Sequence, residues 1–258
     1  MNPLRSRIFE FAYFHEYDRK LEDLVLIAQD EVWDHSEYTA RKFPILRNYL
    51  EKTFEKLEEE KKIVFSKSGD HACFNSGLLT KNREDIFLLF QKNINQQSTS
   101  PYFFINFVKE SDVVLNRYFS GNFPVPADYF SKPELLICNP HLPLTIDYDH
   151  IIEENNDRFP EQLRDNKYAL RNLIKGAVEY TMKVVRNNYR TAVPQYYNGN
   201  LQLLLPLYLT DPDKSPDLAM VLYREENGYV ARTCLTLKMA YQNARIIVKP
   251  ESDSWLQP

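Results

Sequence analysis

The stretch Arg186-Asn-Asn-Tyr-Arg-Thr-Ala-Val-Pro-Gln-Tyr-Tyr-Asn-Gly-Asn-Leu-Gln-Leu-Leu-Leu-Pro-Leu207 decides the fold. It carries the chain out of a helical pattern and into strands. Residues 201–209 read as a strand, and two more follow at 218–224 and 229–235. Asn227-Gly228 is a hairpin signal between the last two. Thr236 stands where it can N-cap a helix running from Leu237 to about Ile247. Strands therefore run directly into a helix, with uncharged polar and cationic side chains crowded where they meet. Such a junction can form a polar, anion-accepting site on a rigid scaffold.

Upstream, the spacing predicts a helix from about Gln162 to Asn187. Leu170, Leu173, Ile174, Ala177, Val178, Thr181 and Val185 mark its buried face. Arg171, Lys175, Lys183 and Arg186 form a stripe on another face, interrupted by Glu179, and read first as solvated surface. Arg186 and Arg190 bracket the helix C-terminus, where the macrodipole favours cations. Residues 121–150 contain Pro124, Pro126, Pro133, Pro140 and Pro143, which predict a wrapping connection rather than long regular elements. Before that, Ile63–Ser66 and His71–Phe74 flank the turn-forming Lys67-Ser-Gly-Asp, so a hairpin is expected. Strands are expected at 85–90 and 102–108, a polar loop at 93–101 and a short helix at 112–119. Residues 3–60 carry helical spacing, with Pro44 at a helix start. No internal repeat is detected in the sequence. The expected architecture is α+β. A helical N-terminal lobe (1–61) precedes an α+β core domain (62–258) with a mainly antiparallel sheet flanked by helices.

Composition narrows the function classes. The chain has 258 residues, 43% hydrophobic and 26% charged, which is ordinary for a globular protein. A formal net charge of −4 argues against broad binding to duplex nucleic acid, while leaving room for a local basic cleft. Only 6 glycines are present, and neither a dinucleotide fingerprint nor a Walker-type loop occurs. Cys73, Cys138 and Cys234 are too far apart for the usual metal-ligand spacing. Their odd number, without a leader segment or an apolar run long enough to span a membrane, predicts a reducing, cytoplasmic location and no membrane partner.

Four constellations are candidates for chemistry. The first is the strand–helix junction with Arg232, Thr233 and Thr236, where free backbone donors at the helix start attract phosphate or carboxylate. The second is Asn188–Tyr197. Arg190 could bind phosphate, Tyr189 or Tyr196 could stack on a base, and Gln195 could read a base edge. The third is Phe74-Asn-Ser-Gly-Leu, with Asn75 as a ligand contact and Gly77 freeing the backbone. His71 shares a strand face with Cys73 and Asn75 and is the general acid/base candidate if a reaction occurs. The fourth is the acidic run Asp147–Asp157. Within it Asp149, His150 and Glu153 could hold Mg²⁺ or Mn²⁺ only under a hydrolase reading; otherwise no metal or cofactor is expected.

Taken together, these segments resemble a bacterial domain-of-unknown-function family, DUF 3825. The motifs that carry the resemblance are Phe74-Asn-Ser-Gly-Leu, Asp149-His-Ile-Ile-Glu, Asp157-Arg-Phe-Pro, Asn188-Tyr-Arg-Thr-Ala-Val-Pro-Gln-Tyr-Tyr, Leu203-Leu-Leu-Pro-Leu, Arg232-Thr-Cys-Leu-Thr-Leu-Lys-Met-Ala-Tyr-Gln-Asn-Ala-Arg and Pro250-Glu-Ser-Asp-Ser-Trp-Leu. Resemblance covers roughly residues 62–256. Ser76 stands where that family usually has Thr, and the spacing near Trp255 is often one residue tighter in the family. Its members are often fused to cold-shock-like and LOTUS domains, which implies RNA or nucleotide metabolism. The leading expectation is a module that binds RNA or a nucleotide in a cleft near residues 75, 189–196 and 232–236. A phosphoester or nucleotide hydrolase is the rival, and a protein-interaction scaffold is the third reading.

Overall fold

Each strand-forming region closes into its own five-stranded sheet in the computed structural model, which describes residues 7–35, 41–94, 99–249 and 255–256. The chain divides into two units, Met1–Asp128 and Tyr129–Pro258. The boundary expected at 61/62 follows a change from helical to strand periodicity that lies inside the first unit.

In the first unit, α1 (Arg7–Phe11) leads into a short strand, β1 (Ala12–Tyr13), then α2 (Tyr17–Ile27) and α3 (Pro44–Glu59). Strands β2 (Val64–Phe65), β3 (His71–Leu79), β4 (Asp85–Lys92) and β5 (Tyr102–Lys109) follow, and then α4 (Val113–Phe119). The order across the sheet is β1-β5-β4-β3-β2. Pro44 opens α3, where a missing N–H costs nothing. Ile45, Leu46, Tyr49, Leu50, Phe54 and Leu57 of α3 are buried at helical spacing. Residues 71–76 of β3 are buried without alternation, because both faces are covered. Phe74 meets Phe54 of α3 on one side, and Cys73 clusters with Phe87, Leu115 and Phe119 on the other.

In the second unit the proline-rich segment is mostly irregular, as expected, but it also yields β6 (Leu144–Ile146). After it come α5 (Tyr148–Glu154), α6 (Lys167–Asn187), β7 (Val193–Tyr197), β8 (Asn200–Leu207), β9 (Leu218–Glu225), β10 (Gly228–Leu235) and α7 (Leu237–Ala244). The sheet order is β6-β10-β9-β8-β7. One sheet face packs Leu203, Leu205, Met220 and Leu222 against Ile151, Leu170, Ile174 and Val185 of α5 and α6. Leu173, expected on the buried face of α6, is exposed. Pro206 is tolerated in β8 because β7 pairs only as far as Leu204, so that end of β8 has β9 as its one neighbour. Thr236 caps α7 by accepting from the Met239 amide at 3.3 Å, as its position in the sequence predicts.

The two sheets have the same topology, a repeat the sequence did not reveal. In each, four strands form an antiparallel meander and the first strand of the unit adds in parallel to the last. In each, two helices separate the first strand from the second, and a short helix follows the fifth. Even a local irregularity recurs. A register shift leaves Ile105 as the extra residue in β5, and another leaves Arg232 as the extra residue in β10. In the first unit Lys20 of α2 donates to the carbonyls of Phe104 (2.9 Å) and Ile105 (2.7 Å). In the second, Arg158 donates to the Cys234 carbonyl at 2.6 Å and to Thr233 Oγ1 at 3.2 Å. Both cations arrive from the segment after the parallel edge strand. No helix among the described residues is long and apolar enough to cross a membrane.

Gly77 anchors β3 to α3. It sits at φ +74°, and a Cβ there would lie 2.7 Å from the Tyr49 hydroxyl, which donates to the Ser76 carbonyl at 2.8 Å. Gly77→Ala is expected to lower unfolding stability by about 1–3 kcal/mol. The check is the urea midpoint, and an unchanged midpoint would mean that neither the backbone conformation nor the close approach matters.

Candidate functional site

An open cleft of about 560 Å³ lies in the second unit where α6 ends and β7 begins. That volume falls within the range of small-molecule sites. The backbone there is shaped locally. Asn188 leaves the helix in extended conformation, and its side chain accepts from the Arg190 amide at 3.0 Å, winding Tyr189–Thr191 into one 3-10 turn. This turn sends Tyr189 and Arg190 outward and Thr191 inward. Val184, Tyr208, the Ile247–Lys249 segment, Phe130, Ile137 and Trp255 complete the lining of the cleft. The Trp255 indole donates to the Thr191 carbonyl at 2.9 Å, tying residue 255 to the turn.

Tyr189 is 60% exposed and Phe130 61% exposed, so the cleft presents two largely uncovered rings. The Arg190 guanidinium lies 6.0 Å from the centre of the Tyr189 ring, and its Nε is 3.5 Å from the Tyr189 hydroxyl. Lys249 adds a second cation to the lining.

Of the residues singled out in the sequence, Tyr189 and Arg190 line this cleft, while Gln195 and Tyr196 do not. Gln195 is 1% exposed and directly opposite Gln202 in the β7–β8 register. Its amide donates to Gln202 Oε1 at 2.6 Å and accepts from Asn243 of α7 at 3.2 Å, so it joins sheet to helix. Tyr196 is buried edge-on against Tyr129. At the β10–α7 junction Arg232 is the exposed bulge residue, Thr236 is a cap, and Thr233 belongs to a structural network. In that network Asn155 Oδ1 accepts from the Thr233 hydroxyl (2.8 Å) and from the Cys234 amide (2.7 Å), while Arg158 covers the adjoining carbonyl. Thus Asp157-Arg-Phe-Pro and Arg232-Thr-Cys-Leu-Thr meet to hold α5 on β10.

Asn75, Gly77 and His71 belong to the first unit. Asn75 Oδ1 accepts from the Gly77 amide at 2.8 Å, and the Ser76 hydroxyl donates to the Ile86 carbonyl at 2.6 Å, so this motif builds the bulge that bends β3. His71 is buried, with its ring stacked on Tyr118 at 3.7 Å between centroids. Its Nδ1 has no hydrogen-bond partner among the described residues. Burial pulls its pKa below the ordinary value, and neighbouring Asp70 offsets this only in part. In the acidic run, Asp147 caps α5, His150 faces Glu154 at 3.2 Å, and Glu153 pairs with Lys167. No three His, Cys, Asp or Glu side chains among the described residues converge as a metal site would require. All three cysteines are buried thiols, and burial pushes Cys234 up to about 12, which suits packing rather than nucleophilic attack.

Reasoning from sequence passed over Phe130, Ile137, Tyr208 and Lys249. Besides Asn188–Pro194, the lining takes Trp255 from the closing motif, of which residues 250–254 lie outside the described residues.

Asn155→Ala leaves the Cys234 amide buried without its acceptor and should cost about 1–3 kcal/mol. Denaturant titration checks this, and a neutral variant would remove Asn155 from the network's role. For His71 the folded pKa lies below the unfolded one, so the unfolded chain takes up its proton first as pH falls from about 6.5. Stability is therefore lost on acidification through that range. His71→Phe, which preserves the stack, should show a smaller difference in denaturation midpoint between pH 8 and pH 5 than the parent.

Searches of curated proteins and of solved structures gave no match. The family described as domain of unknown function DUF3825 matches residues 24–255, most of both units, and the chain belongs to that family.

Proposed function

We propose that the second unit binds RNA or a nucleotide in the cleft at the end of α6. The supporting observation is the combination of exposed aromatic rings and cations in one lining: Tyr189 and Phe130 with Arg190 and Lys249. Exposed rings of this size offer flat apolar faces, and every base offers a π-face to stack on them. A guanidinium beside the ring supplies the forked donor that a phosphate accepts. Tyr189 stacks on the base, Arg190 binds phosphate, and the Asn188 turn holds both side chains outward so that binding needs little reordering.

This reading narrows the one drawn from sequence. It rests on Tyr189 and Arg190 and assigns Gln195, Tyr196, Thr233 and Thr236 to the scaffold. The hydrolase alternative gains nothing from a His71 that is stacked and buried.

The test is a thermal-shift panel of mono- and dinucleotides and short single-stranded RNAs. A ligand at about a hundred times its dissociation constant should stabilise the fold by roughly 2.7 kcal/mol. Arg190→Ala should weaken that ligand by about 1.5–3 kcal/mol, as loss of a charged hydrogen bond does. Tyr189→Ala should cost about 1–3 kcal/mol of affinity. Tyr189 is exposed, so the ligand-free Tyr189→Ala protein should stay within about 0.5 kcal/mol of the parent in stability. A flat panel would sink the proposal.

A further inference from the structure

The repeated topology supplies an internal control for the surface of α6. Helices α3 and α6 occupy the same place in their units, each being the second helix between the first strand and the meander. Over its 16 residues α3 carries three cations and four carboxylates. Its charges are engaged: Lys52 with Glu55 at 2.8 Å, Lys56 with Glu60 at 3.2 Å, and Glu58 with Arg7 at 3.2 Å. Over its 21 residues α6 carries five cations and one carboxylate, Glu179. Lys167 is paired with Glu153, and Arg171 lies over the Tyr148 ring at 4.7 Å. Lys175, Lys183 and Arg186 form no ion pair with a carboxylate among the described residues, although Glu179 is four residues from each lysine. A helix face needed only for solubility could be balanced as α3 is; this one carries an uncompensated positive charge.

That face also bears rings and leads to the cleft. Tyr168 is 79% exposed and Tyr180 47% exposed on α6. Tyr180 meets Tyr208 edge-on at 6.1 Å between centroids, and Tyr208 lines the cleft together with Val184 of the same helix. From Arg171 to Arg186 the helix rises roughly 22 Å, and four residues beyond Arg186 stands Arg190.

We infer that the ligand is a single-stranded oligonucleotide, whose backbone tracks the exposed face of α6 while one base occupies the cleft. The inference rests on the cleft reading above and adds the class and path of the ligand. Cations spaced along a helix match a phosphodiester chain, and interleaved tyrosines serve bases that a duplex would keep stacked inside. Single-strand sites commonly span about 4–16 nucleotides, which a face of this length accommodates.

The test compares UMP, rU4, rU8, rU12, dT12 and a 12-base-pair RNA duplex by fluorescence anisotropy or competition over a range of salt concentrations. The parent should bind rU8 or rU12 more tightly than UMP and rU4. Removing three cations outside the cleft lining, in Lys175→Gln/Lys183→Gln/Arg186→Gln, should lower the slope of log affinity against log salt by about 2 for rU12, with UMP affinity unchanged. Glutamine keeps helix propensity, and the triple variant's circular dichroism checks the fold. Equal binding of dT12 and rU12 would support backbone tracking without recognition of the 2′-hydroxyl; preference for rU12 would support the same path with RNA as its occupant. UMP binding that depends on Arg190, with no gain from length and an unchanged salt slope, would overturn this inference and leave the cleft reading standing. Absence of binding to any probe would overturn both. Duplex binding as tight as rU12 would overturn the single-strand assignment.

Discussion

The pairing of each unit's first strand with its last is the constraint on which the structure depends. Parallel partners need a long connection, and here it runs through the rest of the sheet: two helices carry the chain from the first strand to the opposite edge, and the meander brings it back to pair with that strand. Both partner strands also carry an extra residue, at Ile105 and at Arg232. A bulge turns carbonyls away from the ladder, and an unmet buried carbonyl costs about 1–3 kcal/mol. Lys20 and Arg158 satisfy those groups from the crossover side. One contact therefore joins the bulged end of the last strand to the helical segment that follows the edge strand.

In the second unit this anchoring positions the cleft. With α5 held to β10 by the Asn155–Arg158–Thr233–Cys234 network, α6 lies across the sheet with its apolar face down. Its C-terminus then meets β7 at the sheet's far edge, where the chain has to turn sharply. Asn188 makes that turn by bonding its own side chain to the Arg190 amide, which leaves Tyr189 and Arg190 projecting from a fixed base. Gln195, two residues into β7, secures the same edge to α7.

Strands and helices could be read from the sequence because their signals are local. The 227–228 turn, the Thr236 cap, Pro44 and the buried face of α6 each declare themselves within a few residues. The roles of polar side chains could not be read in this way. Thr233 and Cys234 find their partner at Asn155, 78 and 79 residues away, and Gln195 is consumed by Asn243, 48 residues on. A glutamine beside two tyrosines looks like a base reader until its partners are known. Walls of the cleft come from residues near 130, 208, 248 and 255, which only the folded unit gathers. The duplicated topology stayed hidden for a related reason. A meander closed by a parallel strand constrains polarity and bulge position, and Lys20 and Arg158 perform one task with different side chains in different local sequences.

Charge distribution bears most directly on function. A chain with net charge −4 repels a polyanion at long range, so any polyanion site has to concentrate its cations locally. Screening makes this workable, because beyond about 8–10 Å at physiological salt the acidic remainder contributes little. Helix α6 has the required asymmetry and α3, under the same topology, lacks it. Since a shared fold demands no such charge, the positive face of α6 is a property of the surface rather than of the topology. Under the proposed reading the exposed rings at its end also bear on the partner: a purely acidic surface would engage the cations alone, whereas a strand of nucleotides would engage cations and rings together.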